Sequence, residues 1–358
     1  MKSIKAFFSI TVLLLTLPFG GCGGGSKTVY IVGYGINLSN VAYYWENGGA
    51  ASTLPAPSGM TNAWAESVAV SGSDVYIAGF VIDPTTSNAV AANWKNGVAT
   101  ALPYPTGMTT AYAYAVAVSG SNVYIAGYAR DSTTGQVAAF WENGVVTALP
   151  NPTGMTEAEA KSVAFSGSDV YIAGYAYNPT ASNYVATYWK NGVATVLPYP
   201  TGMTGAYAYA VAVSGSDVYI AGSAYDPTTS NFVATYWKNG VATVLPNPTG
   251  MTISVAESIA ISGSDVYIAG EVYDPTASSF VAIYWKNGVA TVLPSPAGLT
   301  GTSANAIAVS GSDVYLAGYS VDSTTGNSEA VYWKNGVATA LPNPTGTNFS
   351  IANSIAVE

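Results

Sequence analysis

Ser262-Gly263-Ser264-Asp265-Val266-Tyr267-Ile268-Ala269-Gly270 is one copy of a phrase that returns, with small changes, at Ser71, Ser119, Ser166, Ser214 and Ser310. The steps between copies are 48, 47, 48, 48 and 48 residues. A divergent further copy stands at Thr28-Val29-Tyr30-Ile31-Val32-Gly33. Self-similarity at a fixed period of this length marks an array of supersecondary units. It overrides the two or three domains that 358 residues would otherwise suggest.

Working outward from the phrase gives four short runs per unit. Ser258-Ile259-Ala260-Ile261 precedes it, Val266 to Gly270 lies within it, and Phe280 to Trp285 and Val289 to Leu293 follow before Pro294. Each run is short, β-branched or aromatic, and punctuated at both ends, which is strand behaviour. Asn287-Gly288 is a hairpin signal because both residues tolerate positive φ, and Gly263-Ser264 suits the other tight turn. Asp274-Pro275-Thr276 opens a wider loop. Four antiparallel strands per unit is the blade of an all-β propeller.

The count predicts seven blades. The tryptophan strand recurs at Trp45, Trp94, Trp141, Trp189, Trp237, Trp285 and Trp333, and a Leu-Pro stop follows each. The copy at Thr28 lacks a first strand, while Ile351 to Val357 reads as a first strand without a successor. The C-terminal strand is therefore expected to complete the N-terminal blade and close the ring, leaving only short protected edges.

The wording Trp-Lys/Glu-Asn-Gly-Val, preceded by Ala-x-Tyr and accompanied by Ser-Ile-Ala-Val before a glycine turn, resembles the HAF family of extracellular repeats over residues 28 to 357. The resemblance concerns repeat type and implies no catalytic residue. Ser-Gly-Ser-Asp stands here where that family more often has an Asn-Asp/Asn-x-Gly turn.

Lys2 and Lys5 precede an apolar stretch, Phe7 to Phe19, that is too short for a comfortable membrane span. Gly20-Gly21-Cys22 follows, and the segment resembles a bacterial lipoprotein signal with Phe19 where Leu is usual. The expected organisation is a signal peptide over 1–21, an acylated Cys22 with a Gly-rich linker over 22–27, and the propeller over 28–358. Such a chain would sit in the bacterial cell envelope, held to the outer membrane by lipid alone. Cys22 is the single cysteine, so no disulfide can form within the chain. Of 10 basic residues Lys2 and Lys5 fall in the leader, leaving 8 against 19 acidic. That balance argues against nucleic acid or anionic lipid headgroups as partners.

No histidine is present, which removes Ser-His-Asp and Cys-His systems and every histidine-ligated metal site. Asp74, Asp169, Asp217, Asp265 and Asp313 repeat by blade in one turn, as turn-formers do. Asp83, Asp131, Asp226, Asp274 and Asp322 head the wider loops, where an Asp-Pro-Thr turn accounts for them better than calcium. No carboxylate pair for glycan cleavage is evident. The expectation is a protein that binds and is not an enzyme, with no catalytic residues, cofactor or metal. The seven lattice tryptophans are expected to pack between blades.

The copies disagree in one place. Residues 166–213 and 214–261 differ at 12 of 48 positions, and seven of these fall in the last ten. One position reads Glu66, Tyr114, Lys161, Tyr209, Glu257, Asn305 and Asn353 around the ring. Two residues earlier it reads Trp64, Tyr112, Glu159, Tyr207, Val255, Ser303 and Ile351. If the first strand is innermost, these line the mouth and wall of the central channel. Trp64, Glu66, Tyr112, Tyr114, Glu159, Lys161, Tyr207, Tyr209, Glu257, Asn305 and Asn353 are the candidate ligand-binding residues. A constant scaffold with one varied end suits a binding surface for a protein or glycan; drift at a tolerant, solvated rim produces the same pattern. A lectin, a glycan-cleaving enzyme and a surface spacer remain alternatives, and substitutions at the rim are expected to be mild for stability.

Cys22→Ser is expected to move the protein from the membrane fraction to a soluble or uncleaved form, because the acyl chain is the attachment the sequence provides. Fractionation of cells expressing the variant checks this, and unchanged membrane retention would contradict it.

Overall fold

The computed structural model describes residues 27–358 apart from Leu38, Thr134 and Thr345. The leader and Cys22 lie outside the described residues. Seven four-stranded antiparallel sheets form a ring of blades. Blade 1 pairs Val29–Asn37, Ser39–Glu46 and Ser52–Leu54 with the C-terminal Ser350–Val357. The innermost strands of blades 2 to 7 are Thr61–Ser71, Thr110–Ser119, Thr156–Ser166, Gly205–Ser214, Ser254–Ser262 and Leu299–Ser310. In blades 2 to 7 the chain then steps outward, strand by strand, to a four-residue outer strand such as Val241–Val244.

Burial follows that order. The Ala- and Val-rich inner strands are almost wholly buried, because small side chains let neighbouring blades converge on the axis. The outer strands alternate exposed and half-buried residues, with Val98, Val145, Val193, Val241, Val289 and Val337 open to solvent. The ring is closed as the split repeat predicts. Val29 to Gly35 pairs with Val357 back to Ser350, and Thr28 and Glu358 exchange backbone hydrogen bonds of 2.9 Å.

Between blades the seven tryptophans act as staples. All are fully buried, and each indole Nε1–H donates to the carbonyl of the proline that ends the preceding blade. The pairs run Trp94 to Pro55, Trp141 to Pro103, Trp189 to Pro150, Trp237 to Pro198, Trp285 to Pro246 and Trp333 to Pro294. Trp45 to Pro342, at 3.0 Å, repeats the staple across the closure. An apolar ring with one polar atom finds burial and a partner at the same place.

The turns also have identifiable locks. Asn287 and Gly288 both have positive φ (51° and 81°), and the Asn287 side chain accepts from the Val266 amide and donates to Asp265. Lys286 lies 2.9 Å from the same carboxylate. The repeated turn aspartates are thus clamps between two hairpins of one blade. In the wider loops Asp83 accepts from the amide and hydroxyl of Thr85, and Asp226 does the same with Thr228, which is an Asx turn.

Every inner strand carries a bulge at the same place. In blade 5 Ala208 pairs with Gly222 and Ala210 with Ala221, so Tyr209 has no partner in the ladder. The bulged residue is Asn353, Glu66, Tyr114, Lys161, Tyr209, Glu257 or Asn305, blade by blade. The glycine ending the repeated phrase makes room for it. A Cβ on Gly222 would stand 1.9 Å from the Tyr207 carbonyl oxygen, and Gly33, Gly79, Gly127, Gly174, Gly270 and Gly318 meet the equivalent carbonyl at 1.8–1.9 Å. This is close backbone approach, which glycine alone permits.

Gly222→Ala is expected to cost about 3 kcal/mol, at the upper end of ordinary single substitutions, because backbone must move. Deleting residues 350–358 should lower the melting temperature and solubility by exposing the edge of Val29–Asn37. Thermal unfolding of both variants tests the two constraints; wild-type melting of either would contradict its part.

Candidate functional site

The bulges and the residues around them build the channel mouth as two storeys. The upper storey consists of cross-strand pairs: Ile351 with Tyr34, Trp64 with Phe80, Tyr112 with Tyr128, Glu159 with Tyr175, Tyr207 with Ser223, Val255 with Glu271, and Ser303 with Tyr319. The lower storey is the ring of bulged residues. The wider loops and the connections between blades lie at this end, and the Ser-Gly-Ser-Asp and Asn-Gly turns at the other.

A cavity of about 610 Å³ opens at the mouth on the side of blades 7, 1, 2 and 3. Of the residues selected from sequence, Trp64, Glu66, Tyr112, Tyr114, Asn305 and Asn353 line it. Tyr34, Phe80, Tyr319 and Phe349 complete its aromatic wall. The rings form a continuous arc. Centroids of Tyr34 and Phe349 are 6.1 Å apart, Tyr34 and Trp64 6.4 Å, Trp64 and Phe80 4.6 Å in a stack, and Phe80 and Tyr112 4.9 Å edge to face.

Glu159, Lys161, Tyr207, Tyr209 and Glu257 stand on the opposite side of the channel and do not line that cavity. Lys161 and Glu159 form an ion pair at 2.7 Å, both nearly buried. The Lys161 ammonium also lies 3.9 Å from the centre of the Tyr114 ring and 5.5 Å from that of Tyr175. Tyr175 and Gln136 donate to the two oxygens of Glu159 at 2.7 and 3.1 Å. Tyr207 and Tyr209 stack beyond them.

The lower storey differs from a solvated rim. Glu66, Tyr114, Lys161, Glu257, Asn305 and Asn353 are only 1–6% exposed. The expectation that substitutions there are mild is corrected for these positions, because the bulge turns them inward among one another. Upper-storey positions such as Trp64 and Tyr112 are half-buried.

Sequence reasoning missed the upper-storey partners on the second strands. Tyr34, Phe80, Tyr128, Tyr175, Ser223, Glu271 and Tyr319 directly follow the constant glycine. The signal was present, since Tyr175 against Ser223 is one of the differences between the two compared repeats. It stands alone, outside the varied segment.

Burial governs the carboxyls. It raises Glu66 to about 8, against the opposing pull of Lys161. It raises Glu257 to about 8, helped by the charge of Glu271 and opposed by Lys161. It raises Glu271 to about 7, with Ser303 holding it back. Glu159 is somewhat less deeply placed, and burial alone would raise it too. The Lys161 charge and the hydrogen bonds from Lys161, Tyr175 and Gln136 outweigh that and bring it below the ordinary carboxylate value.

No family model matches the chain, and no curated protein matches it in sequence. The fold has solved counterparts. The β-propeller domain of the trilobed protease from Pyrococcus furiosus, which has an open velcro topology, matches 90% of this chain and 96% of its own with a TM-score of 0.51 at 9% identity. The acylaminoacyl peptidase of Pyrococcus horikoshii matches 95% of this chain at a TM-score of 0.53 and 10% identity. An acylaminoacyl peptidase bound to a chloromethyl ketone matches 89% at 0.50 and 11%. The chain spans about half the length of these two peptidases. At such identities the likeness shows the fold alone.

The expectation that the chain is not an enzyme is corrected. It rested on the lack of histidine, of a free thiol and of an evident carboxylate pair, whereas the strand pairing places Glu271 opposite Val255, two residues before Glu257, close enough for their charges to interact. Glu271 escaped notice because its neighbour in space lies on another strand. The solved proteins with this fold also include whole peptidases, so a propeller of this kind is no argument against an enzyme.

The raised carboxyls give a pH dependence. The folded state keeps protons on Glu66, Glu257 and Glu271 that the unfolded chain has already released, so stability declines as pH rises from about 4.5 to about 8. Glu159 acts oppositely, and its contribution is lost only below the ordinary carboxylate range. The melting temperature is expected to fall between pH 5 and 8, less so in a Glu66→Gln/Glu257→Gln/Glu271→Gln variant. A wild-type profile that rises over this interval would contradict the assignment.

Proposed function

We propose that the protein is a receptor for a small organic ligand held in the aromatic funnel at the mouth of its channel. The observation that supports this reading is convergence. Repeats that are nearly copies of one another differ mainly at inner-strand ends, and the ends contributed by blades 7, 1, 2 and 3 meet at a concave site of about 610 Å³. That volume falls in the range of small-molecule sites, and the mainly apolar lining with a few polar groups has their usual character. Drift at a solvated surface would not by itself assemble stacked rings around a buried carboxyl. With Cys22 acylated, the receptor would be tethered to the bacterial envelope with its ring outside the lipid.

The test is a thermal-shift screen of sugars, amines and small carboxylic acids together with a glycan array, followed by calorimetry of each hit. Trp64→Ala and Tyr112→Ala are expected to weaken a hit about tenfold or more with little loss of stability. Asp217→Asn, in a turn at the far end of the blade, should bind as wild type. A ligand retained by both mouth variants and lost in the Asp217 variant would place recognition on the other face.

A further inference from the structure

Resting on that reading, we infer that the cavity takes an organic cation, a methylated ammonium group of about the size of choline's head, held by ring faces and the Glu66 carboxyl. Three observations carry this. The wall is built of aromatic rings, with Tyr34, Trp64, Phe80 and Tyr112 in unbroken succession. Such rings attract a desolvated cation through their quadrupoles.

The amides of the floor are committed to the protein itself. Asn353 Nδ2 donates to the Ala65 carbonyl at 3.0 Å and to Glu66 at 3.1 Å. Asn305 Nδ2 donates to the Ala352 carbonyl at 2.9 Å, and its oxygen accepts from Ser303 at 3.0 Å. A sugar is recognised by donors and acceptors directed at its hydroxyls, and here both amides are turned to neighbouring blades. Aromatic rings are what the cavity mainly offers.

The adjacent part of the channel already holds a cation in this manner. The Lys161 ammonium is placed between the Tyr114 ring at 3.9 Å and the Glu159 carboxylate at 2.7 Å. The cavity beside it repeats the same ingredients, rings and a buried carboxyl, and among the described residues lining it none is Lys or Arg. The chain as a whole carries a net charge of −9, and its long-range field favours a positive guest. Burial keeps Glu66 protonated to about pH 8, and a cation above it would favour release of that proton. The groups sharing its surroundings are Lys161, Asn353, Tyr34 and Tyr114, and only Lys161 among them is cationic.

The experiment is calorimetric titration of the full chain in detergent with choline, with its neutral isostere 3,3-dimethylbutan-1-ol, and with glucose and N-acetylglucosamine. Choline is expected to bind about tenfold or more tightly than the isostere, with affinity rising between pH 6 and 8. Glu66→Gln should remove most of that preference, and Phe80→Leu should weaken choline while circular dichroism shows the fold intact. The comparison of choline with its isostere is made on the wild-type protein, so it stands even if a variant fails to fold. Equal binding of the two, or binding of a sugar without choline, overturns the cation and leaves the receptor reading standing. Silence toward all four compounds also overturns the cation; the receptor reading fails only if the broad screen is silent as well.

Discussion

One close contact organises this molecule: the carbonyl oxygen of an inner-strand residue lies where a Cβ would be on the glycine of the second strand. At 1.8–1.9 Å no side chain fits, and the contact recurs in all seven blades. It allows the inner strand to take one extra residue without leaving its sheet. A bulge of this kind bends a strand and redirects a side chain. Seven of them at one height turn seven side chains toward a common axis. The channel mouth is a consequence of a glycine that carries no chemistry.

The ring can hold such a mouth because its cohesion lies elsewhere. The buried tryptophans and their proline-carbonyl partners tie each blade to the one before it, well outside the inner strands. Ser67, Ser162, Ser258 and Ser354 add a second tie by accepting the backbone amide of the next inner strand, as in Val68 to Ser354 at 3.2 Å. The turns at the far end are clamped by carboxylate, amide and lysine. Mouth residues are thus free to differ between blades while the staples and clamps repeat nearly unchanged.

The differences are electrostatically consequential. One blade supplies Lys161 and Glu159, which form an ion pair, and Lys161 holds the Glu159 carboxyl below its ordinary value despite burial. For Glu66, Glu257 and Glu271 burial is the stronger influence and favours their neutral forms. The same residue type therefore takes two states within one channel. The mouth is aromatic on one side and lined by buried carboxyls within.

The sequence alone determined the blade, the number of blades and the closing strand. Those follow from local rules: period-two apolar runs, Asn-Gly and Gly-Ser turns, and a count of tryptophans and Leu-Pro stops that agree. It also marked the inner-strand ends as the place where copies diverge. Only the tertiary structure decided what the divergence means. Phe80, Tyr34 and Tyr319 stand some 15 residues or more from their inner-strand partners, or at the other end of the chain, and join the site through strand pairing and closure. Glu271 becomes a partner of Glu257 for the same reason. Whether a varied residue is a solvated rim or a buried floor depends on the bulge. A bulge is a relation between two strands, and no single stretch of residues contains it.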